Sequence, residues 1–143
     1  MVQYEESKEI SDEISDMYKT LQDNDADTAF YLMKESSLLL PSFEELSHEL
    51  LKLLSNLEKT AKATQAKVSR ESSNKVTEGD RIAISDQVVL QAWSDYADVQ
   101  YKQRLVQTQI DFLKRIYFDC KLIYESVCRQ NRTVVHEKMV GRT

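Results

Sequence analysis

The sequence predicts an all-α protein: an elongated helical hairpin with a long C-terminal helix and two short N-terminal helices, gathered into an oligomeric bundle. Three observations carry that expectation. Val89, Ala92, Tyr96, Val99, Gln103, Val106, Ile110, Leu113, Tyr117, Cys120, Tyr124 and Val127 follow one another at alternating steps of three and four, a spacing that only a helix gathers on one stripe. The 143 residues include two Gly and one Pro, so turns are few, and neither type occurs between Asp80 and Val140. A helix from Asp86 to Asn131 would measure roughly 70 Å and could not bury its stripe without partner helices.

The elements follow in order. Residues 8–22 read as an amphipathic helix, with Ile10, Ile14, Met17 and Leu21 on one face and acids on the other; it is the outer helix of a bundle or a docking arm for another subunit. Asp23–Asp27 is a turn, and Asp25 or Asp27 can N-cap a second short helix carrying Phe30, Met33, Ser37 and Leu40. Pro41 punctuates. Ser42 with Glu45 then forms a capping box before a helix bearing Phe43, Leu46, Leu50, Leu53 and Leu57, widened by Leu51 and Leu54.

Glu71–Lys75 is the best break in the second half, and Thr77 with Asp80 offers another capping box. A helical turn at Glu78–Ile84 precedes the long helix or merges with it, and Ser85-Asp86 is a kink or a second cap. Arg132–Thr143 lacks periodicity and is expected to fray. The chain thus divides into acidic N-terminal short helices (1–41), a helical hairpin (42–131) and a frayed tail (132–143).

Charge is uneven. Residues 1–27 hold nine acids and two lysines, a net −7, which leaves +2 for the rest of a chain whose total is −5. An acidic arm can therefore sit beside a mildly basic body. No stretch approaches the roughly 20 apolar residues that span a bilayer, and the N-terminus lacks a basic-then-apolar leader pattern. Cys120 and Cys128 would lie about 12 Å apart along one helix, too far for a mutual disulfide. A reducing, cytoplasmic setting and no membrane association are expected.

No catalytic or metal site is expected. Asp23, Asp25 and Asp27 mimic the start of a calcium loop, but Thr28 stands where Gly is needed and Lys34 where a bidentate Glu is needed. His48-Glu49 begins like a zinc-protease helix, yet Lys52 replaces the second His. Phosphate loops and nucleophile elbows are absent. The chain reads as a non-enzyme without cofactors.

Binding is the better expectation. Lys59, Lys62, Lys67, Arg70, Lys75 and Arg81 gather around the hairpin tip, against Glu71, Glu78 and Asp80, either as ordinary solvated helix surface or as a track for a polyanion. Tyr96, Val99, Gln103, Val106, Ile110, Leu113 and Tyr117 form the expected core and oligomer seam, where Gln103 as a polar member can set register. Trp93, Tyr101, Phe112 and Phe118 lie off that stripe, to be covered by another helix or to stack on bases.

Three features resemble the UvsY-type recombination mediators of tailed bacteriophages: the basic, Ala-rich helix end Leu57–Arg70, the Lys-Val-Thr-Glu start at Lys75–Glu78, and the long helix from Ser85-Asp86 through Tyr101, Gln103, Ile110 and Leu113. The resemblance covers about 60% of the chain (residues 43–131) and its motifs are short. It implies a homo-oligomer that binds single-stranded DNA and helps load a RecA-like recombinase onto strands covered by single-strand-binding protein. Lys62, Lys67 and Arg70 would match the family's basic DNA-contact segment. The acidic residues 1–27 depart from the pattern. Two other functions fit the residues: a helical adaptor subunit of a larger protein complex with no nucleic-acid contact, and an inhibitor that mimics DNA through its acidic arm.

Overall fold

Small side chains mark where these helices touch. A computed structural model describes residues 2–141, and within them it holds four helices and no strand: α1 (Val2–Lys19), α2 (Ala26–Ser72), α3 (Val76–Ser85) and α4 (Gln87–Val140). The protein is all-α with a long C-terminal helix. No helix is long and apolar enough to cross a membrane.

Asp25 caps α2 as expected. The Thr28 N–H donates to Asp25 Oδ1 at 3.0 Å, which holds the carboxyl pKa below its ordinary value. The expected stop at Pro41 does not occur, so there is one short N-terminal helix and not two: α2 runs through Pro41 without interruption. An interior proline removes one backbone hydrogen bond and costs about 3 kcal/mol. The reason it is tolerated lies in the buried positions Ala29, Leu32, Ser36, Leu39, Phe43, Ser47, Leu50 and Leu54. They keep helical spacing straight across Pro41, which is itself exposed. Burying even two such Leu or Phe side chains outweighs the proline's cost. Ser42 and Glu45 consequently cap nothing and lie inside the helix.

Two registers also differ from expectation by about one residue. In α1 the buried positions are Ser7, Ser11 and Ile14, whereas Ile10 and Met17 are exposed. In α2 they are Ala29, Leu32, Ser36 and Leu39, whereas Phe30 is 51% exposed. Serine and alanine let helix backbones approach closely, so the stripe follows them even where larger apolar residues lie one step away.

The chain forms two compact units, Met1–Glu44 with Thr108–Thr143, and Glu45–Gln107. In the first, α4 meets two helices. Ser11 Oγ of α1 donates to Gln109 Oε1 at 2.8 Å, and the Tyr18 hydroxyl donates to Asp119 Oδ2 at 2.5 Å. Phe30 of α2 meets Tyr124, ring centroids 5.5 Å apart. Facing two neighbours requires a wider apolar face than a two-helix seam. Ile116 is therefore fully buried beside Leu113 and Cys120, while Tyr117, expected in the seam, is 39% exposed. Burial raises the Cys120 thiol pKa to about 11, with the charge of Asp119 adding to it.

The Asp119 contact gives a pH test. Accepting the hydrogen bond from Tyr18 raises that phenol's pKa from 10.0 to about 12, with burial and the Asp119 charge adding to the effect. The folded state therefore holds this proton more tightly than the unfolded state. Its stabilisation is complete below pH 10 and is lost as pH rises towards 12. The stability gap between the wild type and Tyr18→Phe should narrow across that window when urea midpoints are compared.

Two further corrections concern the C-terminal half. Thr77 and Asp80 form no capping box: Lys75 is the N-cap of α3 and makes no side-chain cap bond. Asp86 does cap α4, accepting from the N–H of Val88 at 2.9 Å and of Val89 at 3.4 Å. The expected frayed tail is helical to Val140, with every residue from 129 to 141 exposed. Arg142 and Thr143, also placed in that tail, lie outside the described residues.

Candidate nucleic-acid interface

In the unit of residues 45–107, α2 and α4 are joined by polar side chains at two levels. Gln103 Nε2 donates to Ser47 Oγ at 3.4 Å, and Trp93 Nε1 donates to Gln65 Oε1 at 3.0 Å. The Trp93 ring also stands edge-on to Tyr96 at 5.6 Å. Of the expected seam, Val106, Ile110 and Leu113 are buried, Tyr96, Val99 and Gln103 are half-buried, and Tyr117 is exposed. Trp93 is held by Gln65 and is not a free stacking platform. Tyr101, 64% exposed, is the available ring in this unit.

The α2–α3 junction carries the basic cluster and is fixed by a close approach that the sequence does not announce. A Cβ placed on Gly79 would lie 2.4 Å from the Ser69 carbonyl oxygen and 2.8 Å from its Oγ. Only glycine lets α3 come this near to α2. Ser69 Oγ donates to Asp80 Oδ1 at 2.7 Å, so the carboxylate expected in a cap instead ties α3 to α2. Asn74 and Arg70 border a polar cleft of about 390 Å³ beside this contact. The one available signal was that Gly79 is among only two glycines in the chain.

Lys59, Lys62, Lys67, Arg70, Lys75 and Arg81 are all exposed. At 3.6 residues per turn, Lys59, Lys67 and Arg70 fall within about 80° of one another on α2. They lie opposite the buried Leu54 and Ala61. Lys62 sits on the flank and pairs with Glu58 at 2.9 Å. That carboxylate raises the lysine's pKa and offsets its charge locally. The Arg70 Nε donates to the Ala66 carbonyl at 3.3 Å, which aligns the guanidinium along the helix. Lys59, Lys67, Lys75 and Arg81 make no ion pair with any described residue. Lys75 and Arg81 lie at the start and the middle of α3. The arrangement can hold an extended polyanion along the Lys59, Lys67 and Arg70 face of α2, with the exposed carboxylates of Glu71, Glu78 and Asp80 nearby as opposing charges.

Among the described residues, no group of three His, Cys, Asp or Glu could hold a metal ion. No family model, no curated protein and no solved structure matches this chain.

Proposed function

We propose that this protein is an oligomeric helical accessory factor that binds single-stranded DNA and assists recombinase loading in recombination and repair. The observation that carries the reading is the solvent face of α2, where Lys59, Lys67 and Arg70 share one side and the two lysines pair with no carboxylate among the described residues. The exposed Tyr101 ring of the same unit adds a sequence-tolerant stacking surface. The two arms form a helical hairpin whose seam also serves an oligomeric bundle. A RecA-like recombinase and single-strand-binding protein are the protein partners that the UvsY resemblance implies.

Replacing Lys59, Lys67 and Arg70 with Glu should weaken oligonucleotide binding at least about tenfold at ~50 mM salt and flatten its salt dependence. Fluorescence anisotropy with a labelled single strand measures both. Absence of binding by the unmodified protein at that salt sinks the reading.

A helical adaptor for another protein is the second reading. It is favoured by the apolar residues Leu38 and Phe118, 65% and 58% exposed in the other unit. A fixed protein partner on purification, together with no DNA binding, would select it.

A further inference from the structure

The unit of residues 1–44 and 108–143 carries an open trough between α2 and α4. Two adjoining clefts of about 210 and 250 Å³ share Ser37 and Tyr117 in their walls. The trough is apolar apart from its serines and two cations, Lys34 and Lys114, and no acid lines it. Phe118 and Leu38 stand at its rims, more than half exposed. The Ser36 hydroxyl, 1% exposed, also lines it and has no hydrogen-bond partner. A wall of this kind suits an amphipathic helix that brings apolar side chains, carboxylates and a polar group.

The same unit presents such a helix in α1. Glu6, Ile10, Glu13 and Met17 of α1 follow one another at steps of four, three and four. All four are exposed, on a stripe that flanks the Ser7, Ser11 and Ile14 face that packs inside the unit. We propose that the trough of one copy receives α1 of a second copy. Ile10 and Met17 then meet the rings of Tyr117 and Phe118, while Glu6 and Glu13 face Lys34 and Lys114. A second copy's α1 is favoured over a trough-to-trough dimer because the latter opposes Lys34 and Lys114 to themselves. Pairing α1 with α1 opposes its acids in the same way. The contact joins two different patches, so it is heterologous and propagates into a ring or an open chain. It deepens the homo-oligomer part of the proposed function and does not depend on DNA binding.

Light scattering after size exclusion, at about 100 μM so that a micromolar contact is populated, tests it with Phe118→Glu and Ile10→Glu. Both positions are exposed, and circular dichroism checks that each variant keeps its helices. The wild type should be an assembly larger than a dimer, and each variant alone a monomer. The two variants mixed should form a one-to-one dimer that does not grow, since each supplies the one patch that the other lacks. A wild-type monomer, an assembly unchanged by either substitution, or a mixture that stays monomeric overturns the proposal. Anisotropy with a labelled single strand on the same samples separates the two readings: intact assembly without DNA binding removes the recombination function and leaves this contact standing.

Discussion

Replacing Phe43 with alanine lowers the unfolding free energy by about 3–5 kcal/mol. The ring is 0% exposed, and its partner Tyr4 meets it edge-on at 6.0 Å, 74° between planes. Alanine at this position removes that ring pair, worth about 0.5–1.5 kcal/mol beyond area burial, and leaves a cavity that the neighbouring side chains can close only in part. Single domains are stable by about 5–15 kcal/mol, so the variant should sit near the threshold of folding. Urea denaturation followed by far-ultraviolet dichroism reads the loss. Phe30→Ala is the control for register: with the ring half exposed, it should cost less than about 1.5 kcal/mol. Equal losses at the two positions would mean that the stripe runs through Phe30 and not through Ala29, Leu32 and Ser36.

Gly79→Ala is the second large effect, and here two terms oppose each other. Glycine inside a helix is worse than alanine by about 1 kcal/mol, so the substitution should stabilise α3 taken alone. The new methyl, however, meets the Ser69 carbonyl oxygen at 2.4 Å. A backbone oxygen cannot rotate away, so α3 must lift off α2. Overpacking of this kind costs about 1–3 kcal/mol, and the departure also breaks the Ser69–Asp80 bond. We expect a net loss of stability and weaker oligonucleotide binding, because Lys75 and Arg81 move with α3. Adding Ser69→Ala should not rescue the variant, since the nearer obstruction belongs to the main chain. A melting temperature equal to or above that of the wild type would show that the junction is looser than described.

Much of the architecture was legible from residue spacing. The three-and-four rhythm from Val89 onward named α4 and most of its buried positions, and the alternatives Asp25 or Asp27, and a kink or cap at Ser85-Asp86, included the caps of α2 and α4 that the structure uses. The displaced starts of the α1 and α2 faces share one cause. Large apolar residues were weighted over small ones, which placed the α1 face on Ile10 and Met17 instead of Ser7 and Ser11. It also placed the α2 face on Phe30 instead of Ala29. A serine in a helical sequence looks like solvent-facing filler, and only a neighbouring backbone at close range reveals it as a contact.

The basic cluster was legible as composition but not as a surface. Position on the helix wheel separates Lys59, Lys67 and Arg70 from the flank, yet the pairing of Lys62 with Glu58 depends on side-chain conformation. The use of Asp80 to tie α3 down, and not to cap it, depends on how α3 crosses α2.

By itself, then, the sequence determined that this protein is helical, where the body of its longest helix lies and which few residues could cap α2 and α4, because spacing and capping are set by neighbours within a few residues along the chain. The tertiary structure alone decided that α2 passes through Pro41, that Ile116 replaces Tyr117 in the core and that α3 approaches α2 closely at Gly79. The first two outcomes are set by burial against helices distant in sequence, whose free energy exceeds the local preference it overrides, and the third by the contact between the surfaces of α2 and α3.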